Sequence, residues 1–294
     1  MYDIEVAVRA HARLGEGTVW DADAQVLWWV DIWSREIHRF EPRTGKHCQW
    51  QTPHEPGSLA LRSNGNGLVV AMSNAIHCFD PSTGMFTLLR EAYDANWPAR
   101  FNDGRTDRQG RFWAGSTDTR ENAPAEPVAA LYRLDTATHL TLQLDRLFCS
   151  NGLAWSPDGT RMYHADSHLR RVWCCDFDTA TGELAQRRLF IDMSEVGIPD
   201  GATTDAEGCY WIALWQAGRI LRYDPDGDLM AQVELPTRAP TCCEFGGENL
   251  DVLYVSTANL QRGALSTDVT DPLAGSVLAM DARVRGVRSM PYCG

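Results

Sequence analysis

One phrase recurs six times along this chain: a polar turn, an apolar strand, a short break and a second strand, closed in three copies by D-x-x-T-G or D-P-x-G. It reads WDADAQVLWWVDIWSREIHRFEPRTGK from Trp20 and WSPDGTRMYHADSHLRRVWCCDFDTATGEL from Trp155. The other copies begin at Leu61, Thr106, Thr204 and Phe245, so the six starts are 41, 45, 49, 49 and 41 residues apart. A period of this length is that of a four-stranded propeller blade, and six copies predict an all-β, six-bladed β-propeller. PDG at 157–159 and 225–227 and NG at 64–65 and 66–67 stand where hairpins need positive φ. No stretch holds a helical period, and six in-phase repeats disfavour the competing two-sheet sandwich. The expectation is one propeller domain over residues 1–294. The segment YDIEVAVR (2–9) alternates apolar and polar ahead of the first repeat. It is expected to close the ring as the outer strand of the last blade, beside GSVLAMDAR (275–283).

Composition narrows the partners. A chain of 294 residues with 44% hydrophobic content can bury a large core. A net charge of −12 argues against nucleic acid or an anionic membrane as partner. MYDIEVAVRAHARLG lacks the basic and apolar regions of a signal peptide, and no apolar run approaches the length of a membrane span. Nine cysteines, an odd count with no CxxC, read as free thiols in a cytoplasmic protein. A monomer or weak homo-oligomer is expected.

The repeat phase also locates a site. In GIPDGATTDAEGCYWIALW (197–215) a bare carboxylate, Asp200, stands at the entrance to a strand that is apolar on both faces. The residue four positions before each repeat start is Glu16, Gly57, Asn102, Asn151, Asp200 and Thr241. Innermost strands line a propeller's channel, so these positions form a ring about its axis. Four of them carry a carboxylate or carboxamide oxygen, and a glycine follows within two residues in the same four copies (Gly17, Gly104, Gly152, Gly201). Asn-Gly and Asp-Gly are also ordinary turn pairs, which is the alternative reading of each taken singly. Two carboxylates converging in a channel repel unless a cation neutralises them. An all-oxygen donor set suits one divalent metal ion: calcium first, then manganese or magnesium, with zinc less favoured.

LGEGTVWD (14–21), RFNDGRTDRQGRFWAGS (100–116), SNGLAWSPDG (150–159), IPDGATTDAEGCYWIALW (198–215) and CCEFGG (242–247) together resemble the senescence-marker-protein/gluconolactonase/regucalcin-like family. The resemblance runs from about residue 12 to the C-terminus. It implies a six-bladed propeller that hydrolyses sugar lactones with one divalent metal in the channel. It further implies that Glu16, Asn151 and Asp200 ligate the metal, that Asp200 is also the catalytic acid/base, and that Arg100, Asn102 and Asp103 contact substrate. Glu121 corresponds to a substrate-contacting glutamate, with Asp118 and Glu126 competing for that place.

Other signals carry less. The histidines of HADSH (164–168) are about 13 Å apart on a strand and cannot share a metal. DFDTATGEL (176–184) has Ala180 at the third ligand position of an EF-hand pattern and reads as a turn. The vicinal pairs Cys174-Cys175 and Cys242-Cys243 should fill opposite faces of their sheets. Trp215 is placed to flank the site. No GxSxG elbow is present. Two rival classes remain: a propeller hydrolase of aryl or organophosphate esters, and a non-enzymatic calcium-binding propeller.

Overall fold

The computed structural model describes residues 2–65, 67–120, 126–259 and 271–294, and it is built of six four-stranded antiparallel sheets. Their inner strands are Gly15–Asp21, Pro56–Leu61, Ala99–Thr106, Ser150–Trp155, Ile198–Thr204 and Pro240–Gly246, which number the blades 1 to 6. Each inner strand packs beside the next, and that of blade 6 packs beside that of blade 1, so the ring closes into a six-bladed propeller. Among the described residues no helix is long and apolar enough to cross a membrane.

Blades are joined through six separate apolar cores, one between each neighbouring pair. This explains why the second strands carry apolar residues on both faces. In Val26–Asp31 the residues Val26, Trp28 and Val30 enter the core shared with blade 2, while Leu27 and Trp29 enter the core shared with blade 6. In Tyr210–Trp215 the residues Tyr210, Ile212 and Leu214 face blade 4, whereas Trp211 and Ala213 face blade 6. A strand side chain alternates between faces, and here both faces are interior. The vicinal cysteines obey the same rule, Cys174 entering the core between blades 4 and 5 and Cys175 that between blades 3 and 4.

Aspartates of the repeat anchor the strand ends. Asp107 accepts the N–H groups of Gln109 and Arg111 and the indole N–H of Trp113; Asp205 does the same for Glu207, Cys209 and Trp211. At the other end of the blades, Asp31 accepts the N–H groups of Arg13, Leu14 and Ser34, and Asp166 those of Phe148, Cys149, His168 and Leu169. These buried carboxylates hold the segments that lead into Glu16 and Asn151.

The inner strands share one irregularity. In all six blades the register between first and second strands slips at the ring residue, between Glu16 and Val19 in blade 1 and between Asn151 and Ala154 in blade 4. Each slip inserts one extra residue into the inner strand, a β-bulge that re-aims the side chain beside it. In blades 1 and 4 the bulge includes Gly17 at φ 59° and Gly152 at φ 63°, a left-handed conformation that a residue with a Cβ adopts only under strain.

The N-terminal strand Ile4–Val8 pairs antiparallel with Val277–Asp281 as the outer strand of blade 6, with Val6 opposite Leu278. Tyr2, Ile4 and Val6 pack on the core between blades 5 and 6. Deleting residues 1–9 unpairs the edge of Val277–Asp281 and uncovers that core. A fall in melting temperature of roughly 5 °C or more is expected, the scale of ~2 kcal/mol in a chain of this size. A thermal melt unchanged by the deletion would show that ring closure does not depend on this strand.

Candidate active site

The bulges turn four of the six ring residues into one cavity. Glu16, Asn102, Asn151 and Asp200 line a space of about 320 Å³ at the end of the channel, with Arg100 and Ser167 beside them. Leu14, Trp33, Ile198 and Trp215 form an apolar wall, and Thr117, Cys149 and His168 complete the lining. The other two ring positions contribute no side chain to it. Gly57 offers no side chain, and the Thr241 hydroxyl bonds the Gly15 carbonyl and Ser256 instead of facing the cavity.

A directional chain of hydrogen bonds sets the amides. Arg100 can only donate, and its Nη1 donates to Asn102 Oδ1 at 3.0 Å and to the Phe101 carbonyl at 2.9 Å. Asn102 Nδ2 must therefore be the donor at its other end, reaching Asn151 Oδ1 at 2.9 Å and the Ser150 carbonyl at 3.2 Å. Asn151 Nδ2 donates to Ser167 Oγ at 2.8 Å, and Ser167 Oγ donates to the Pro199 carbonyl at 2.6 Å. Each amide is held from both sides, which fixes the orientation of the Asn151 oxygen.

The two carboxylates are the electrostatic centre. Glu16 and Asp200 are each 6% exposed. Burial first, then the charge of Asp103, pushes the Glu16 carboxyl up to about 8, against the favourable N–H of Gly17 at 3.2 Å. Asp200 is raised well above the ordinary carboxyl range by burial and by the charge of Glu16, with which it shares a hydrogen bond. Without a counter-charge the pair holds a proton in the neutral range.

The remaining expected residues fall in two groups. Asp103 lies outside the cavity lining: its Oδ2 accepts the Leu153 N–H of blade 4 at 3.0 Å, and burial raises its carboxyl. From there the charge of Asp103 raises the carboxyls of Glu16 and Asp200. Glu121 lies outside the described residues. Of its two competitors, Asp118 is clasped by Arg120 at 2.6–3.0 Å, and neither Asp118 nor Glu126 lines the cavity.

Trp215 flanks the cavity as expected, whereas Trp33 and His168 were not foreseen. Both sit two residues after an anchoring aspartate, Asp31 and Asp166, so the repeat phase of the loops held the signal. The two HADSH histidines do part company: His164 is buried against Ser150 Oγ at 3.0 Å, and His168 reaches the cavity.

Residues 14–259 match the family described as the SMP-30/Gluconolactonase/LRE-like region. The chain belongs to this family. It is 37% identical over 295 residues to a 6-deoxy-6-sulfogluconolactonase of Pseudomonas putida, covering 99% of each chain. It is 34% identical to an L-arabinolactonase of Azospirillum brasilense, covering 96% of this chain and 92% of that protein. Among solved structures, a calcium-binding protein, regucalcin, from Agrobacterium tumefaciens superposes with a TM-score of 0.92 at 28% identity, covering 99% of this chain and 97% of the other.

The buried pair makes stability depend on pH. The folded Glu16 carboxyl titrates near 8, above its ordinary 4.5, so the folded state holds an extra proton between these values. That contribution is complete below the unfolded value and is lost as pH rises through about 8. The EDTA-treated protein is expected to melt progressively lower from about pH 5 to about pH 8. Excess calcium should remove most of the decline, and Glu16→Gln should flatten it without metal. A melting temperature independent of pH in EDTA would contradict the paired-carboxylate description.

Proposed function

We propose that this protein hydrolyses sugar lactones to the open-chain aldonic acids, using one divalent cation held by Glu16, Asn151 and Asp200. The observation that carries the reading is the convergence of two buried carboxylates and one oriented carboxamide oxygen on a cavity that also holds a guanidinium. The donor set fits the ion. It is all oxygen, as hard cations require, and both carboxyls are raised by burial and by a neighbouring carboxylate charge, a cost that a 2+ ion relieves. Calcium is the first choice, in keeping with the calcium-binding relative. When bound, the cation supplies Lewis-acid polarisation of the lactone carbonyl and lowers the pKa of water.

The protein's own groups supply the rest. Asp200 accepts a proton from the attacking water at a carboxylate oxygen and returns one to the ring oxygen as the acyl–oxygen bond breaks. Its burial beside Glu16 raises its basicity above that of a surface aspartate. Arg100 and Asn102 hold the substrate hydroxyls, and Ser167 keeps Asn151 turned toward its ligand role. The wall of Leu14, Trp33, Ile198 and Trp215 packs the C–H face of the ring. A cavity of about 320 Å³ lies at the small end of ligand pockets, suited to a monosaccharide. Relatives named for L-arabinolactone and a sulfogluconolactone support five- and six-carbon aldonolactones as the substrate class.

A pH-indicator assay over γ- and δ-aldonolactones, with aryl esters and phosphotriesters as controls, tests the reading with and without EDTA. Lactone opening abolished by EDTA and restored by a divalent cation is expected. Asp200→Asn separates ligation from proton transfer, because it keeps an oxygen and the volume but loses the base. With saturating metal, turnover should stay depressed by about 10²- to 10⁴-fold, the contribution of a positioned proton-transfer group. Asn151→Asp should retain metal with a smaller loss. Near wild-type turnover of Asp200→Asn at saturating metal would remove the acid/base role from this residue.

A further inference from the structure

Outside the channel, blade 1 gathers an imidazole and two carboxylates that the hydrolytic site does not use. A nitrogen of His38 and carboxylate oxygens of Asp31 and Glu36 lie within 4.8 Å of one another. We propose that Asp31, Glu36 and His38 form a second cation site, for a first-row divalent transition ion such as zinc, on the rim of blade 1.

Three observations support it. First, His38 is 1% exposed and its Nε2 makes no hydrogen bond, although it faces Glu36 Oε2 at 3.4 Å. A buried ring nitrogen left without a partner is costly, and a cation between it and the carboxylate would satisfy both. Two ligands at 2.0–2.1 Å on a tetrahedral ion stand roughly 3.4 Å apart, so this separation is already that of a coordination edge.

Second, the other side of the imidazole is arranged as metal-bound histidines need. His38 Nδ1 lies 3.0 Å from His47 Nε2, and both rings stack on Trp29 at 4.9 and 5.2 Å. With the proton on Nδ1 donated to His47, Nε2 keeps a free lone pair beside Glu36 Oε2.

Third, the carboxylates keep room for a ligand. Glu36 Oε1 accepts from Gln49, which leaves Oε2 on the His38 side. Asp31 accepts three backbone N–H groups, one fewer than its counterpart Asp166. The comparison with blade 4 also shows that the trio is no by-product of the repeat. The positions paired as Asp31 with Glu36 and Trp29 with His38 are there Asp166 with Arg171 and His164 with Trp173. Two carboxylates and one neutral imidazole carry the charge and the mixed nitrogen–oxygen donors that suit zinc better than calcium. A bound ion would tie the loop bearing Trp33, a wall of the cavity, to the segment leading into Glu16.

Equilibrium dialysis against zinc in a large excess of calcium, with elemental analysis, tests the proposal on the full chain. The wild type and Glu16→Gln should each retain one calcium-resistant zinc. Glu36→Gln, a change at a partly exposed side chain, should weaken it at least about 10-fold, and His47→Ala by about 10- to 100-fold through loss of the orienting partner. Long-range ¹H–¹⁵N spectra of the histidine rings provide a second readout: zinc should move Nε2 of His38 to a metal-bound position. No calcium-resistant zinc, equal retention by Glu36→Gln, or an unmoved His38 nitrogen would each overturn the site.

Discussion

Six sheets close about an axis only if every inner strand is packed from both sides and still presents something tolerable to the channel. In this protein the first requirement is met by six interblade cores, each built from alternate residues of neighbouring blades. The second is met by the one-residue bulge at the ring position of every inner strand. A regular strand would continue its alternation into the axis. The bulge interrupts it where a polar side chain must be aimed at the channel end, and the glycines that follow make the interruption cheap in blades 1 and 4. Fold and site therefore share one local device.

The same geometry concentrates charge. Glu16 and Asp200 come from blades 1 and 5, far apart in sequence, and are brought together where little water reaches them. Burial raises both carboxyls, Glu16 raises Asp200 further, and the charge of Asp103 adds to both. The amide chain from Arg100 through Asn102 and Asn151 to Ser167 supplies rigidity without adding negative charge. Under the proposed function, this rigidity preorganises the site for a cation and, beside it, for a polar substrate.

Much of this was legible because repeats carry their own alignment. Counting back from six repeat starts found Glu16, Asn102, Asn151 and Asp200 without any contact being known, and all four line the cavity. The count was silent on side-chain direction: Thr241, which carries a hydroxyl at its ring position, turns to Gly15 and Ser256. It was also confined to inner strands, whereas Trp33, Ser167 and His168 reach the cavity from loops after second strands.

What the sequence determined by itself were properties that depend on short spacings. The blade period, the alternation of apolar residues, the turn chemistry and the phase of the oxygen-bearing residues all arise within some 50 residues, where covalent geometry sets the arrangement. The tertiary structure decided which of those side chains meet. Cavity walls combine loops from several blades, and the trio in blade 1 depends on which residues the register places opposite Asp31 and Trp29. Those choices rest on packing between strands and blades, and one residue of slip would exchange every inward side chain for its neighbour.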